Sequence, residues 1–357
     1  MDDPLRHHGD AEVGGLEDFA VNVYGAARPD WLDAALRASL DDVGAYPSSE
    51  RARAAVAARH DRDPEEVLVT AGAAEAFTLV ARMGAWRRPV VVHPQFTEPH
   101  AALEQAGHAV TSVVLPEPFA LDPALVPHDA DLVVLGNPTN PTGRLHPADT
   151  IRSLLAPGRL VVVDEAFLDC VPGERETLTV DRRPGLLVIR SLTKHWGIPG
   201  VRAGYLLAAP DVVAALARQQ TPWSVGTTAA AAVEACCSPV ALVEAERRAE
   251  EIAGWRRHLE DGLTGLVVHH LPSSASFVLA RVGHGVHRRL RERGFAVRRA
   301  DTFPGLDAAW VRVAVRPPAA TDRLLGALAE VTTTDVEMRD GAPGSARSAV
   351  PPQQRAG

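Results

Sequence analysis

No run of about 18 apolar residues occurs in the chain, so no membrane-spanning helix is expected. The start, Met1-Asp2-Asp3-Pro4, lacks a basic region and an apolar core, so no secretory signal is expected. Cysteine is scarce, with three in 357 residues, and Cys236 and Cys237 are adjacent. Neighbouring cysteines do not readily bridge each other, and no CxxC pair is present. This argues against a disulfide framework and a structural zinc site, and for reduced thiols in the cytoplasm. The histidine pairs His7-His8, His269-His270 and His284/His287 find no third ligand at usable spacing, so no metal is expected. Positive charge is in deficit. Lys and Arg total 37 against 45 Asp and Glu, a formal net charge of −8. A broadly negative surface does not attract phosphate backbones, so nucleic acid is not an expected partner. Lysine is especially scarce, because arginine carries nearly all the positive charge.

What is present is ordinary globular composition, 46% hydrophobic and 23% charged, at a length that suits about two domains. Short apolar runs recur at Val90 to Val92, Leu132 to Leu135, Leu160 to Val163 and Leu186 to Ile189. Flat, Val-rich runs of this length suit parallel strands buried on both faces. Strands expected at 67–70, 90–93, 109–115, 131–135, 159–163, 186–190 and 204–208 alternate with helices at 75–83, 97–106, 147–155 and 211–219. The alternation predicts an α/β domain with a mostly parallel sheet. Two earlier helices are expected, Trp31 to Leu40 and Ser49 to His60, the second capped by Ser48 or Ser49. A long helical stretch over 227–263 should break near Ser238-Pro239. Strands at 267–270, 276–280, 296–298 and 311–315, with helices at 284–293 and 321–330, predict a smaller C-terminal domain. The expected division is an irregular N-terminal arm (1–30), a large domain (31–225), a small domain (226–331) and a disordered, apolar-poor tail (332–357).

Three motifs carry chemistry. Asn137-Pro138-Thr139-Asn140-Pro141-Thr142-Gly143 follows a strand and, alone, reads equally as a turn. Val163-Asp164-Glu165-Ala166-Phe167 puts a carboxylate at the C-terminal end of a buried strand, where α/β sheets bind ligands, or at a helix cap. Ser191-Leu192-Thr193-Lys194 offers a deprotonatable amine among small and aromatic neighbours, a chemistry arginine cannot supply. In this order they fit pyridoxal phosphate. A lysine condenses with the aldehyde, an aspartate keeps the pyridine nitrogen protonated, an amide bonds the ring hydroxyl, and an arginine and helix N-terminal amides hold the phosphate.

On these residues the sequence resembles the fold-type I pyridoxal-phosphate enzymes of the class I/II aminotransferase group, over about residues 8 to 331. The resemblance implies a large α/β domain with a mostly parallel seven-stranded sheet flanked by helices, and a small α+β C-terminal domain. It assigns Lys194 to the aldehyde, Asp164 to the pyridine nitrogen and Asn140 to the ring hydroxyl. Ser191, Arg202, Gly72, Ala73 and Ala74 go to the phosphate, and Phe96 to the ring face. Tyr46 would reach the phosphate in a neighbouring subunit, which implies a homodimer. Two branches compete, histidinol-phosphate aminotransferase and L-threonine-O-3-phosphate decarboxylase. Phe167, Gln219-Gln220-Thr221-Pro222-Trp223-Ser224-Val225 and Phe303-Pro304-Gly305-Leu306-Asp307 resemble the decarboxylase. In that group His8, Asn22, Arg298 and Arg312 hold the substrate. The sequence departs from the pattern at Asp10, Tyr24, Gly25 and Gly226; Asp10 would repel a phosphorylated substrate if it faces the pocket.

The leading expectation is decarboxylation of a phosphorylated amino acid, threonine phosphate, as in cobalamin biosynthesis. The alternative is an aminotransferase of the histidinol-phosphate type, which uses the same residues but removes the Cα proton instead. A cofactor-binding regulator without turnover would add an upstream DNA-reading domain, against which the irregular first 30 residues and the net charge of −8 argue.

Overall fold

The computed structural model describes residues 4–340. Among the described residues twelve strands, numbered in chain order, form two sheets. The larger contains β2 (Val67–Thr70), β3 (Pro89–His93), β4 (Thr111–Val114), β5 (Leu132–Gly136), β6 (Leu160–Asp164), β7 (Leu186–Ser191) and β8 (Gly204–Ala208), in the order β2-β8-β7-β6-β5-β3-β4. Only β8 runs against its neighbours; all other pairs are parallel. The apolar runs explain the layering. Side chains alternate between faces along a strand. Val133, Leu135, Val161, Val163 and Val188 share one core with Ile151 and Leu154. Val134, Val162, Leu187 and Ile189 share another with Phe77, Val80 and Leu103, from the helices Ala73–Met83 and Glu98–Gln105. Because both faces are covered, the strands carry no polar stripe. The result is the α/β architecture that the sequence predicts.

The second sheet orders as β1-β11-β12-β10-β9, from Glu17–Phe19, Phe295–Arg299, Trp310–Ala314, Phe277–Arg281 and His269–His270. Its core joins Phe19, Val278, Val297, Val311 and Val313 to Ile252, Leu259, Leu324 and Leu328 of the helices Pro239–Gly265 and Pro318–Asp340. The long helical stretch breaks where expected. Ser238 caps the second helix by accepting from the Ala241 N–H at 3.3 Å, Pro239 opens it, and the two axes differ by 76°. Ser49 takes the N-cap position of Glu50–Arg59 without a side-chain cap bond, and the Ser48 hydroxyl accepts from the Glu50 N–H at 3.4 Å.

Two expectations need correction. The arm is not irregular throughout, because Glu17–Phe19 adds a parallel strand to β11, pairing Glu17 with Phe295 and Phe19 with Val297. Three residues carry no periodic signal of their own; the edge of β11 imposes the extended form. The tail also begins later than expected, since the last helix runs to Asp340; residues 341–357 lie outside the described residues. Among the described residues no single helix is long and apolar enough to cross a membrane. Cys170, Cys236 and Cys237 are buried and unpaired, and burial pushes the Cys170 thiol up to about 12.

Candidate active site

The parallel strands end together, and their following loops enclose a cavity of about 540 Å³. Asp164 is the last residue of β6, and its carboxylate lines that cavity. Oδ1 accepts from the Ala166 N–H at 3.0 Å, so the aspartate both shapes the turn and faces the cavity. Burial raises its pKa to about 6, while the Ala166 N–H and the Lys194 cation favour the carboxylate. Lys194 follows β7 by three residues. Its carbonyl accepts from the Tyr24 N–H at 2.9 Å, and the fully buried Trp196 anchors the turn after it. Burial depresses the amine to about 8, with Arg312 and Arg202 adding to the effect and Asp10 and Asp164 opposing it. Half-buried beside a carboxylate, the amine is poised to lose its proton.

Three loops converge on one corner of the cavity. Gly72 joins β2 to the helix Ala73–Met83 at φ +79°, and no side chain caps that helix. Its first amides are therefore open, and Ala73 and Ala74 line the cavity. The positive dihedral favours glycine there, and a Cβ would lie 2.6 Å from Arg202 Nη2 and push that guanidinium aside. Arg202 is held by donating to the Pro199 carbonyl at 2.9 Å. From the end of β7, the Ser191 and Thr193 hydroxyls meet at 2.9 Å.

The remaining wall comes from the β5 loop, the arm and the smaller sheet. Asn137 clamps its loop through both the N–H and the carbonyl of His146, at 2.7 and 3.1 Å. That sets Asn140, whose Oδ1 accepts from Arg312 Nη1 at 2.6 Å. Arg312 Nη2 donates to the Ala20 carbonyl. Phe96 lies beside Phe77 and the His8 ring, with centroids 6.3 and 5.9 Å away. His8 pairs with Glu98 at 2.8 Å. Asn22 is 4% exposed and lines the cavity, and neither its Nδ2 nor its Oδ1 has a partner. A buried amide left in this state is costly unless a ligand completes it. With the open helix amides and the Arg202 cradle, it shows that a phosphorylated heteroaromatic cofactor fits these residues.

Two expected residues lie elsewhere. Arg298 is buried but does not line the cavity. Its guanidinium donates to the carbonyls of Arg299 and His7, at 2.6 and 2.7 Å, and to the Thr302 hydroxyl at 2.7 Å. It therefore fastens the arm. Tyr46 is 78% exposed and stacks on Trp223 at 4.3 Å. Tyr24, a departure from the family pattern, stacks on Trp255 at 5.7 Å and bonds Glu251, so it docks the arm on the long helix. Arg6 and Glu98 line the cavity without having been singled out in the sequence, where nothing in their spacing marks them, and Thr193, inside the Ser191 to Lys194 motif, lines it without a role assigned there. Nor does sequence reveal the charges beneath the site. Arg190 is fully buried and pairs with Asp169 at 2.8 Å and Glu174 at 2.9 Å, while Arg59 also reaches Asp169 at 2.9 Å. These guanidinium groups hold the Asp169 carboxyl below its usual range, and the network braces the segment carrying Lys194.

Fold and site together define a fold-type I pyridoxal-phosphate enzyme. A model of the aminotransferase class I and II family matches residues 15–328, and the chain belongs to that family, with pyridoxal 5'-phosphate as its cofactor. It is 47% identical over 318 residues to a histidinol-phosphate aminotransferase of Mycobacterium tuberculosis, covering 87% of each chain. It is 34% identical over 347 residues to the threonine-phosphate decarboxylase of Salmonella typhimurium, covering 89% of this chain and 92% of that one. The crystal structure of L-threonine-O-3-phosphate decarboxylase from Porphyromonas gingivalis superposes with a TM-score of 0.78 at 27% identity, over 90% of this chain and all of that one.

Proposed function

We propose that this chain is an aminotransferase of the histidinol-phosphate type. The observation that carries the reading is the 47% identity to a protein of that name, against 34% to a decarboxylase. This reverses the order expected from Phe167 and the Gln219 to Val225 segment. The geometry adds support. Threonine phosphate has two anionic groups, a carboxylate and a phosphate, whereas histidinol phosphate has one. Of the two arginines expected to hold such groups, only Arg312 lines the cavity; Arg298 is spent on the arm.

The cofactor supplies an aldehyde and an electron-accepting ring. Lys194 would hold the aldehyde, and its amine would be the base that carries the proton from the donor's Cα. Asp164 would stabilise the protonated pyridine nitrogen. Asn140 would bond the ring hydroxyl without help from Phe167, which has no donor, and Phe96 would cover the ring. Gly72, Ala73, Ala74, Ser191 and Arg202 would hold the phosphate. Arg312 grips the donor's anionic limb, Asn22 completes its hydrogen bonds on the same ligands, and His8 closes the arm. Leu40, Val43, Tyr46 and Trp223 are exposed, and Tyr46 stacks on Trp223; a second copy covering that pair would bring Tyr46 to the neighbour's phosphate.

The test is to mix the holoenzyme separately with histidinol phosphate and threonine phosphate. Conversion of the cofactor to its amine form by the first donor supports the proposal. Release of CO₂ and aminopropanol phosphate from the second, with no conversion by the first, replaces it with the decarboxylase.

A further inference from the structure

In either chemistry weighed for this cavity, Lys194 joins the aldehyde and then moves a proton at the donor's Cα. Its side chain changes partner between those steps, so the peptide beneath it must stay put. β7 ends three residues before it, and two distant segments hold the turn that follows. The Tyr24 N–H donates to the Lys194 carbonyl at 2.9 Å. The next carbonyl, that of His195, accepts from Arg248 Nη1 at 3.3 Å.

Arg248 sits on the long helix Pro239–Gly265, is 1% exposed and does not line the cavity. Its guanidinium is a junction. Nη2 donates to the Ala27 carbonyl and Nε to Glu244, both at 2.9 Å, and the Glu244 carboxylate balances the buried charge. The guanidinium carbon lies over two rings, 4.2 Å from the centroid of Tyr24 and 5.2 Å from that of Trp196. One planar fork therefore bonds the base of the arm and the lysine turn, and packs against an aromatic from each. Tyr24 departs from the family pattern, so that pattern does not supply this junction.

We propose that Arg248 is a positioning residue for Lys194: by tying the His195 carbonyl to the Ala27 carbonyl, it fixes the peptide from which the lysine amine reaches the aldehyde. The inference goes beyond the choice of donor, because transamination and decarboxylation both use that amine. Lysine is a poor substitute for Arg248, since a compact ammonium cannot bond two separate carbonyls from one fixed plane. A displacement of about 1 Å in a reacting group costs on the order of a hundredfold in rate.

The experiment separates capture of the cofactor from its fit. The full chain, stripped of cofactor, is mixed with saturating pyridoxal phosphate, whose aldehyde joins the Lys194 amine with loss of water; absorbance gives the limiting rate. Pyridoxamine phosphate carries an amine in place of the aldehyde and cannot join a lysine, so its affinity, read by calorimetry, reports the cavity alone. Arg248→Met keeps the apolar stem and loses the fork. Its capture rate should fall about 10- to 100-fold at a pH above the Lys194 midpoint, where the amine is already neutral, while pyridoxamine phosphate binds as in the wild type. Arg248→Lys should recover part of the rate, and Tyr24→Ala, which removes one ring and keeps the backbone N–H, should lower it by less than Arg248→Met. If Arg248→Met does not fold, these two variants carry the test with the same readouts. An unchanged capture rate overturns the inference. So does an equal loss of both ligands, which would mean that the cavity itself is damaged. So does a fall confined to lower pH, which would make Arg248 an electrostatic group and not a positioning one.

Discussion

The two halves of the cavity are built differently. The inner half stands on the ends of β2, β6 and β7. Thr70, Asp164 and Ser191 are terminal strand residues, so sheet hydrogen bonding sets where the next side chains go. The outer half is assembled from the arm and the smaller sheet. Asp10, Ala20 and Asn22 reach it only because the Arg312 and Arg298 guanidiniums and the Tyr24 ring fasten the arm down. A site placed by a buried sheet is rigid; one placed by a strapped segment can open to admit a ligand. Chemistry belongs in the first and selection in the second.

The sharpest way to break that contrast is Lys194→Ala, in the inner half. Turnover should fall about a thousandfold or more. Because Lys194 is the only lysine in the sequence, borohydride should no longer attach cofactor to any side chain; retained attachment at full occupancy would refute its role. Next comes Arg312→Ala, at the boundary. Loss of the guanidinium fork should raise KM for the phosphorylated donor by about 10- to 100-fold while cofactor stays bound. Were cofactor lost as well, the two halves would not be separable. Gly72→Ala probes the inner half in the opposite direction. The positive φ and the approach of Arg202 should weaken phosphate binding, read as about tenfold faster cofactor loss on dilution. Arg298→Ala should act only through the arm, with a rise in KM of a few fold, little change in kcat and faster amide exchange over 5–24.

The inner half also predicts a pH dependence. Only the neutral Lys194 amine attacks an aldehyde, and its pKa is lowered to about 8, mainly by burial. Cofactor uptake by the stripped protein should therefore rise about tenfold per pH unit below that value and level off above it. A midpoint near the ordinary lysine value would mean the amine is solvated and not held in the cavity.

The inner half was legible for a physical reason. Strand ends in an α/β sheet are marked by apolar runs, and Asn140, Asp164, Ser191 and Lys194 each follow one within a few residues. The outer half was only partly so. Arg312, between two valines in β12, reaches the cavity as expected, whereas Arg298, one strand over, turns to the His7 carbonyl. The two are directly paired across β11 and β12, and sequence does not say which guanidinium finds the arm and which the cavity. The Arg190 network was hidden for a similar reason, since its partners Asp169, Glu174 and Arg59 come from separate elements and meet only after folding.

Sequence by itself determined the layered sheet, the order of its punctuating motifs and the identity of the cofactor, because these follow from periodicity and from residue types at strand ends. Tertiary structure decided the path of the arm, the division of labour between Arg298 and Arg312, and the entry of Asp10 into the cavity. Those outcomes rest on contacts between residues nearly 300 positions apart, such as His7 with Arg298, and no local pattern encodes which distant partner a charged side chain will satisfy.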